Sequence, residues 1–161
     1  MRVAVLTVSD GVVHGTREDL SGEILATRCE AAGHTITFRG VVADEQDQIA
    51  AHLADLCDND TADLVLSTGG TGFAPRDVTP EAARSVLQRL SPGIDEALRA
   101  DSLRHTKHGI LSRGVSGIRR RTIVITLPGS PRACNEALDL LEPILEHATK
   151  LLRSEQTEHG R

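Results

Sequence analysis

The sequence predicts an α/β fold: a three-layer sandwich with a mostly parallel central sheet, helices on both faces and a short antiparallel edge pair. Three observations carry that expectation. Short apolar runs alternate with stretches whose apolar residues recur every three or four positions, the patterns of buried strands and of the helices that cover them. One such run, Leu64 to Ser67, leads straight into Thr68-Gly69-Gly70-Thr71-Gly72, a strand end passing into a glycine loop. The 161 residues suffice for one domain that buries roughly 70% of the surface its unfolded chain exposes. A single domain is expected over residues 1–153, with a frayed polar tail at 154–161.

The first strand is Val3 to Val8, followed by a polar loop from Asp10 to Leu20. Leu25, Cys29 and Ala32 then share one helix face, which Gly33 can end. Thr35 to Val42 makes a second strand, and Asp44 stands where a helix N-cap belongs, ahead of Ile49, Leu53 and Leu56 on one face. Beyond the third strand and its loop, Thr79-Pro80-Glu81 is a helix start, with Thr as N-cap, Pro at the first helical position and an acid in the first turn. Ser91-Pro92-Gly93 interrupts the chain before a helical pattern from Ile94 to about Arg104. Val115 to Ile118 and Thr122 to Leu127 flank the basic turn Arg119-Arg120-Arg121 and predict the antiparallel pair at one sheet edge. Ala137, Leu138, Leu141, Ile144, Leu145, Ala148, Leu151 and Leu152 describe an amphipathic last helix that Pro143 would kink or split.

Composition excludes several function classes. With 23 acidic against 18 basic residues, a net charge of -5 and neither Trp nor Tyr, the chain has no basic footprint for duplex nucleic acid and no set of stacking platforms for single strands. Cys29, Cys57 and Cys134 lack a Cys-x-x-Cys spacing and read as reduced, half-buried helix residues. The opening MRVAVLTVSD is too short for a signal-peptide core and lacks its cleavage pattern. No stretch approaches the roughly 18 apolar residues of a membrane span, so a soluble, cytoplasmic protein is expected.

The glycine loop carries the first chemical signal. At the carboxyl edge of the sheet, where open α/β folds bind their ligands, Gly69, Gly70 and Gly72 allow successive N–H groups to turn inward toward an anion, and Thr68 and Thr71 add hydroxyls. The loop has neither a Walker ending nor the Gly-x-Gly-x-x-Gly spacing of a dinucleotide fold, and a plain strand-to-helix turn would use glycines too. Arg76 and Asp77 follow within a few residues, one able to neutralise charge and one to position a cation or nucleophile. Asp44, just after a predicted strand, would reach the same edge. Residues 99–121 carry +6 while the rest of the chain carries -11, and that basic segment holds His105, His108, Ser112 and Arg113. Finally, Leu127-Pro128-Gly129-Ser130-Pro131 gives a second strand-end turn opening a helix, so two turns could bracket an elongated phosphorylated ligand.

Taken in order, Leu6-Thr7-Val8-Ser9-Asp10, Asp19-Leu20-Ser21-Gly22, Asp44-Glu45, Ser67 to Gly72, Arg76 to Ala82, Leu111-Ser112-Arg113 and Leu127 to Pro131 make the chain resemble, over nearly its whole length, the molybdopterin-binding proteins of the Mog and MoaB type. The resemblance implies a homotrimer that binds molybdopterin and, in its adenylyltransferase members, uses ATP and Mg²⁺ to make adenylylated molybdopterin and pyrophosphate. It matches Asp44 and Asp77 to the two carboxylates on which those enzymes depend, and Ser9, Asp10, the glycine loop, Ser112 and Pro128-Gly129-Ser130 to positions lining the ligand pocket. It also implies hand-over contacts with other proteins of molybdenum cofactor biosynthesis. Asp10-Gly11 and Asp19 to Gly22 are spelled more as in the MoaB branch, whose members need not all be catalytic.

A terminal phosphate with a second pKa of about 6 is mostly dianionic at neutral pH and needs no general base. Asp44 and Asp77 are therefore read as Mg²⁺ ligands or positioners of its water shell. Arg76, Arg113 and the Gly69–Gly72 amides are expected to screen the repulsion between the two phosphates. The rival reading is a non-catalytic molybdopterin carrier or scaffold. A molybdate insertase, which carries this domain inside a much longer chain, and a generic nucleotide-binding regulator rank below it.

Overall fold

The computed structural model describes residues 1–153; the expected tail at 154–161 lies outside them. Among the described residues one sheet is built from β1 (Arg2–Val8), β2 (Thr35–Val42), β3 (Leu64–Thr68), β4 (Arg89–Leu90), β5 (Ser116–Arg119) and β6 (Thr122–Leu127). Their spatial order is β2-β1-β3-β6-β5-β4. The first four are parallel, whereas β5 runs antiparallel to both β6 and β4.

The period of two in each strand feeds two separate cores. Val3, Val5, Leu64, Leu66, Ile123 and Ile125 pack on one face against helices α2 (Leu20–Ala31) and α6 (Pro131–Arg153), through Leu25, Cys29, Leu138 and Leu141. Ala4, Leu6, Val65 and Val124 pack on the other against α3 (Gln46–Asp58) and α4 (Thr79–Val86), through Ile49, Leu53, Ala82 and Ala83. Both faces of β1 and β3 are thus dry, which is why these strands read as continuous apolar runs. Each fully buried Leu or Ile contributes about 1.5–3 kcal/mol.

Several local expectations are corrected. The stretch after β1 is not all loop: Asp10–Val13 forms one helical turn, α1, because the Ser9 hydroxyl accepts from Val12 N at 3.2 Å. Asp19 caps α2 by accepting from Gly22 N at 3.0 Å; Ala32 is the exposed residue that ends this helix, not part of its buried face. Helix α5 (Pro92–His105) starts at Pro92 rather than Ile94, since Pro in a first turn gives up no internal hydrogen bond. The expected antiparallel pair, β5 with β6, stands at that side of the sheet, and the two-residue β4, too short to leave a sequence pattern, extends it beyond β5. Cys29, Cys57 and Cys134 are free and fully rather than half buried, and burial pushes each thiol up to about 11.

Helix α6 runs unbroken through Pro143. Ala137, Leu138 and Leu141 before the proline, and Leu145 and Thr149 after it, are buried, so packing on both sides outweighs the lost backbone bond; Ile144 and Leu151, expected on the same face, are exposed. Pro143 itself faces solvent. Restoring its N–H in Pro143→Ala should therefore raise stability by roughly 1–3 kcal/mol, read as a higher urea midpoint at unchanged slope.

Candidate active site

Parallel register brings four strand ends level. Val8 pairs with Val42, Thr7 with Thr68, and Thr68 with Leu127, so the loops after β2, β1, β3 and β6 leave the sheet side by side. After β3 the chain turns through Gly69 (φ 100°) and Gly70 (φ 63°), where only glycine is unstrained. A Cβ on Gly69 would stand 2.2 Å from Val8 O, and one on Gly70 would stand 2.4 Å from Thr79 Oγ1. Thr79 is not the N-cap of α4 but its first residue; its hydroxyl donates to Gly69 O at 2.9 Å and its amide to Gly70 O at 3.1 Å. The Gly69 amide donates to Leu127 O at 3.0 Å, whereas those of Gly70, Thr71 and Gly72 have no acceptor among the described residues. Three consecutive unpaired donors are therefore available at this turn.

Asp44 does not cap α3 either, since Glu45 occupies the position before that helix and makes no side-chain cap. Asp44 Oδ2 accepts from Asp10 N at 2.7 Å while Asp10 Oδ1 accepts from Asp44 N at 3.0 Å, a reciprocal exchange that ties the loops after β1 and β2. Arg76 closes the ring from the third loop, donating through Nε to Asp10 Oδ2 at 2.6 Å and through Nη2 to Glu45 Oε1 at 2.8 Å. The guanidinium holds the Asp10 carboxyl below its usual range. Burial, together with the charges of Asp10 and Asp77, raises that of Asp44.

A cleft of about 1100 Å³ opens over these loops. Ser9, Asp44, Thr68, Gly69, Gly70, Thr71, Gly72, Asp77, Ser112, Pro128, Gly129 and Ser130 all line it. Thr68 Oγ1 donates to Pro128 O at 2.7 Å, and Gly129 packs against Gly69, so the two strand-end turns form one continuous wall. Asp10, Arg76 and Arg113 stand outside the lining, their polar groups paired with other groups of the protein. Sequence reasoning assigned no site role to Arg17, Glu18, Arg132 and Glu136, which also line the cleft, and noted His105 and His108 only within a basic run. Arg132, directly after the Pro128–Pro131 turn, had a positional signal; Arg17 and Glu18, in a stretch without periodicity, had none. Phe73, 68% exposed, borders the opening.

Comparison with known proteins accounts for this arrangement. A family model described as "Probable molybdopterin binding domain" matches residues 4–147. The chain belongs to that family. It is 40% identical over 154 residues to the molybdopterin adenylyltransferase of Helicobacter pylori strain J99, spanning 94% of this chain and 88% of that one. The crystal structure of the molybdopterin biosynthesis enzyme MoaB from Thermus thermophilus superposes with a TM-score of 0.89 at 39% identity, covering 98% of this chain and 99% of that chain. The Mog protein from Mycobacterium ulcerans gives 0.88 at 32% identity, covering 94% and 98%. The molybdopterin-binding fold is thus present with its sheet and both helical layers. Among the described residues no helix is long and apolar enough to cross a membrane.

Gly69→Ala should cost about 2–4 kcal/mol, measurable by urea unfolding, because it adds left-handed strain to a backbone clash. The raised carboxyl of Asp44 opposes folding at neutral pH: its contribution is most favourable below the ordinary Asp range and is lost as pH rises through the raised value. In EDTA, Asp44→Asn should therefore raise the urea midpoint at about pH 7.5, and the gain should narrow toward about pH 4.

Proposed function

We propose that the chain binds molybdopterin in this cleft and transfers AMP from ATP to its terminal phosphate, releasing pyrophosphate, as a step of molybdenum cofactor biosynthesis. One observation carries the reading: the acidic pair Asp44 and Asp77 lies against the unpaired amides of the glycine loop, with Asp44 Oδ1 3.1 Å from where a Gly70 Cβ would be and Asp77 Oδ2 2.8 Å from that of Gly72. Donors for an anion and carboxylates for its counter-cation therefore share one wall. The cleft, about 1100 Å³, exceeds the roughly 300–1,000 Å³ of pockets built for one ligand, which suits a pterin and a nucleotide side by side.

The donor set fits Mg²⁺. Asp44 Oδ2 and Asp77 Oδ2 each accept a backbone N–H, from Asp10 and Ala74, while the Oδ1 atoms have no such partner. No cluster of three or more His, Cys, Asp or Glu side chains suited to a metal occurs among the described residues. Two hard oxygens and no cage is the inventory for an ion that keeps its waters and is shared with phosphates. When bound, Mg²⁺ would draw charge from the triphosphate oxygens. The nucleophile is an oxygen of the pterin phosphate, already mostly dianionic at pH 7; its new bond to the α-phosphorus forms as the bond to pyrophosphate breaks. Asp44 and Asp77 would hold that cation beside the glycine loop. The amides of Gly70 to Gly72, with Thr68 and Thr71, hold phosphate oxygens, and Ser9, Ser112 and the Pro128-Gly129-Ser130 turn shape the pterin side. Asp10 and Arg76 keep Asp44 in place behind the wall. On this reading the chain acts in the cytoplasm as a homotrimer and exchanges the pterin with other proteins of the pathway.

Asp77→Asn should keep pterin affinity within about threefold and lose pyrophosphate release by about 10²-fold or more, read with purified protein, ATP, Mg²⁺ and molybdopterin. Full turnover in that variant would remove Asp77 from the mechanism. Tight pterin binding without pyrophosphate release in the parent protein would assign a carrier instead.

A further inference from the structure

The geometry points to Arg113 as a positioning residue, which fixes the segment carrying Asp77 and couples it to the Ser112 side of the cleft, rather than as a ligand for phosphate. Its amide donates to Thr71 O at 2.9 Å, Nε to Gly72 O at 2.7 Å and Nη2 to Asp77 O at 2.5 Å, while Nη1 pairs with the Glu81 carboxylate in the first turn of α4. The side chain is about one-third exposed and does not line the ligand cleft; it faces a separate groove with Arg84 and Arg99.

These contacts share one consequence. Residues 72 and 77 bracket a turn closed internally by Asp77 N to Ala74 O and by Ala74 N to Asp77 Oδ2, both at 2.9 Å. With both end carbonyls on a single guanidinium, the turn cannot open without breaking charge-assisted bonds. Glu81, whose carboxyl the guanidinium holds below its usual range, anchors that fork to α4. Because Arg113 immediately follows Ser112, one residue braces two walls of the cleft. A lysine keeps the charge but cannot present three acceptors with a planar fork.

This inference rests on the adenylyl-transfer reading only for its kinetic arm. The test compares the full-length chain with Arg113→Lys and Glu81→Gln, using hydrogen exchange at the Ala74, Asp77 and Thr79 amides, calorimetric titration with Mg-ATP, and pyrophosphate release. In Arg113→Lys, exchange at these amides should rise about tenfold or more while core amides keep their protection. Affinity for ATP should change by less than about threefold, and kcat should fall about 10- to 100-fold at a little-altered KM. Glu81→Gln, which keeps the guanidinium, should give the same pattern more weakly. Unchanged exchange overturns the inference, as does a loss of ATP affinity of about 30-fold or more with kcat preserved, which assigns Arg113 to the ligand instead. If the parent chain releases no pyrophosphate, the adenylyl-transfer reading fails, and the exchange and affinity arms still decide the role of Arg113.

Discussion

At the end of β3 the backbone passes so close to β1 that Gly69 has no space for a side chain, its Cβ position lying 2.2 Å from Val8 O. The rest of the cleft depends on that approach. It lets Gly69 donate across to Leu127 O and lets the loop fold back to Thr79, so the amides of Gly70, Thr71 and Gly72 end up unpaired at the cleft instead of spent in a ladder. A bulkier residue would lift the loop from the strand ends and separate the glycine wall from the Pro128–Ser130 turn, which touches it through Gly129. The sheet supplies the platform, since level register makes four strand ends into one edge.

The second constraint is electrostatic. Three carboxylates, Asp10, Asp44 and Asp77, converge near the loop, and the Asp44 carboxyl is raised first by its burial and then by the charges of the other two. The structure offsets this with Arg76 on Asp10 and Glu45, and with Arg113 on Glu81 and the carbonyls of Gly72 and Asp77. The two arginines that sequence spacing offered to a ligand are thus engaged with the protein. The cations and imidazoles on the cleft wall come from elsewhere: Arg17 before α2, His105 ending α5, His108 in the 3₁₀ turn at Lys107–Leu111, and Arg132 opening α6. Keeping an unfavourable carboxylate in a half-buried site comes at a cost in stability.

Much was legible in the sequence because it is local. β2 has its expected ends, α2 buries the expected Leu25 and Cys29 on one face, and α4 begins at the expected Thr79-Pro80-Glu81. The glycine loop was recognisable because positive φ and a backbone approach demand one residue type. Thr79 and Asp44 show the limit. Each has the chemistry of an N-cap and sits within two residues of a helix start, yet Thr79 bonds back to Gly69 across its own β3–α4 loop and Asp44 bonds to Asp10 in the loop after β1, partners that local spacing does not reveal. β4 had no signal at all, since two exposed residues carry no period.

Residue type and spacing alone specify the alternation of buried strands with covering helices, the turn that only glycine allows, the two strand-end loops and the acidic residues beside them. Each is written in residue type and spacing over a few neighbours. Which side chains face the cleft and which brace the loops around it depends on long-range packing. Asp10 lies 66 residues from Arg76, and Arg113 lies 41 from Gly72, and no periodicity links residues so far apart. The first pairing follows from the parallel order β2-β1-β3, which places those loops side by side, and the second from antiparallel β5, whose start lies at the same sheet edge as the end of β6.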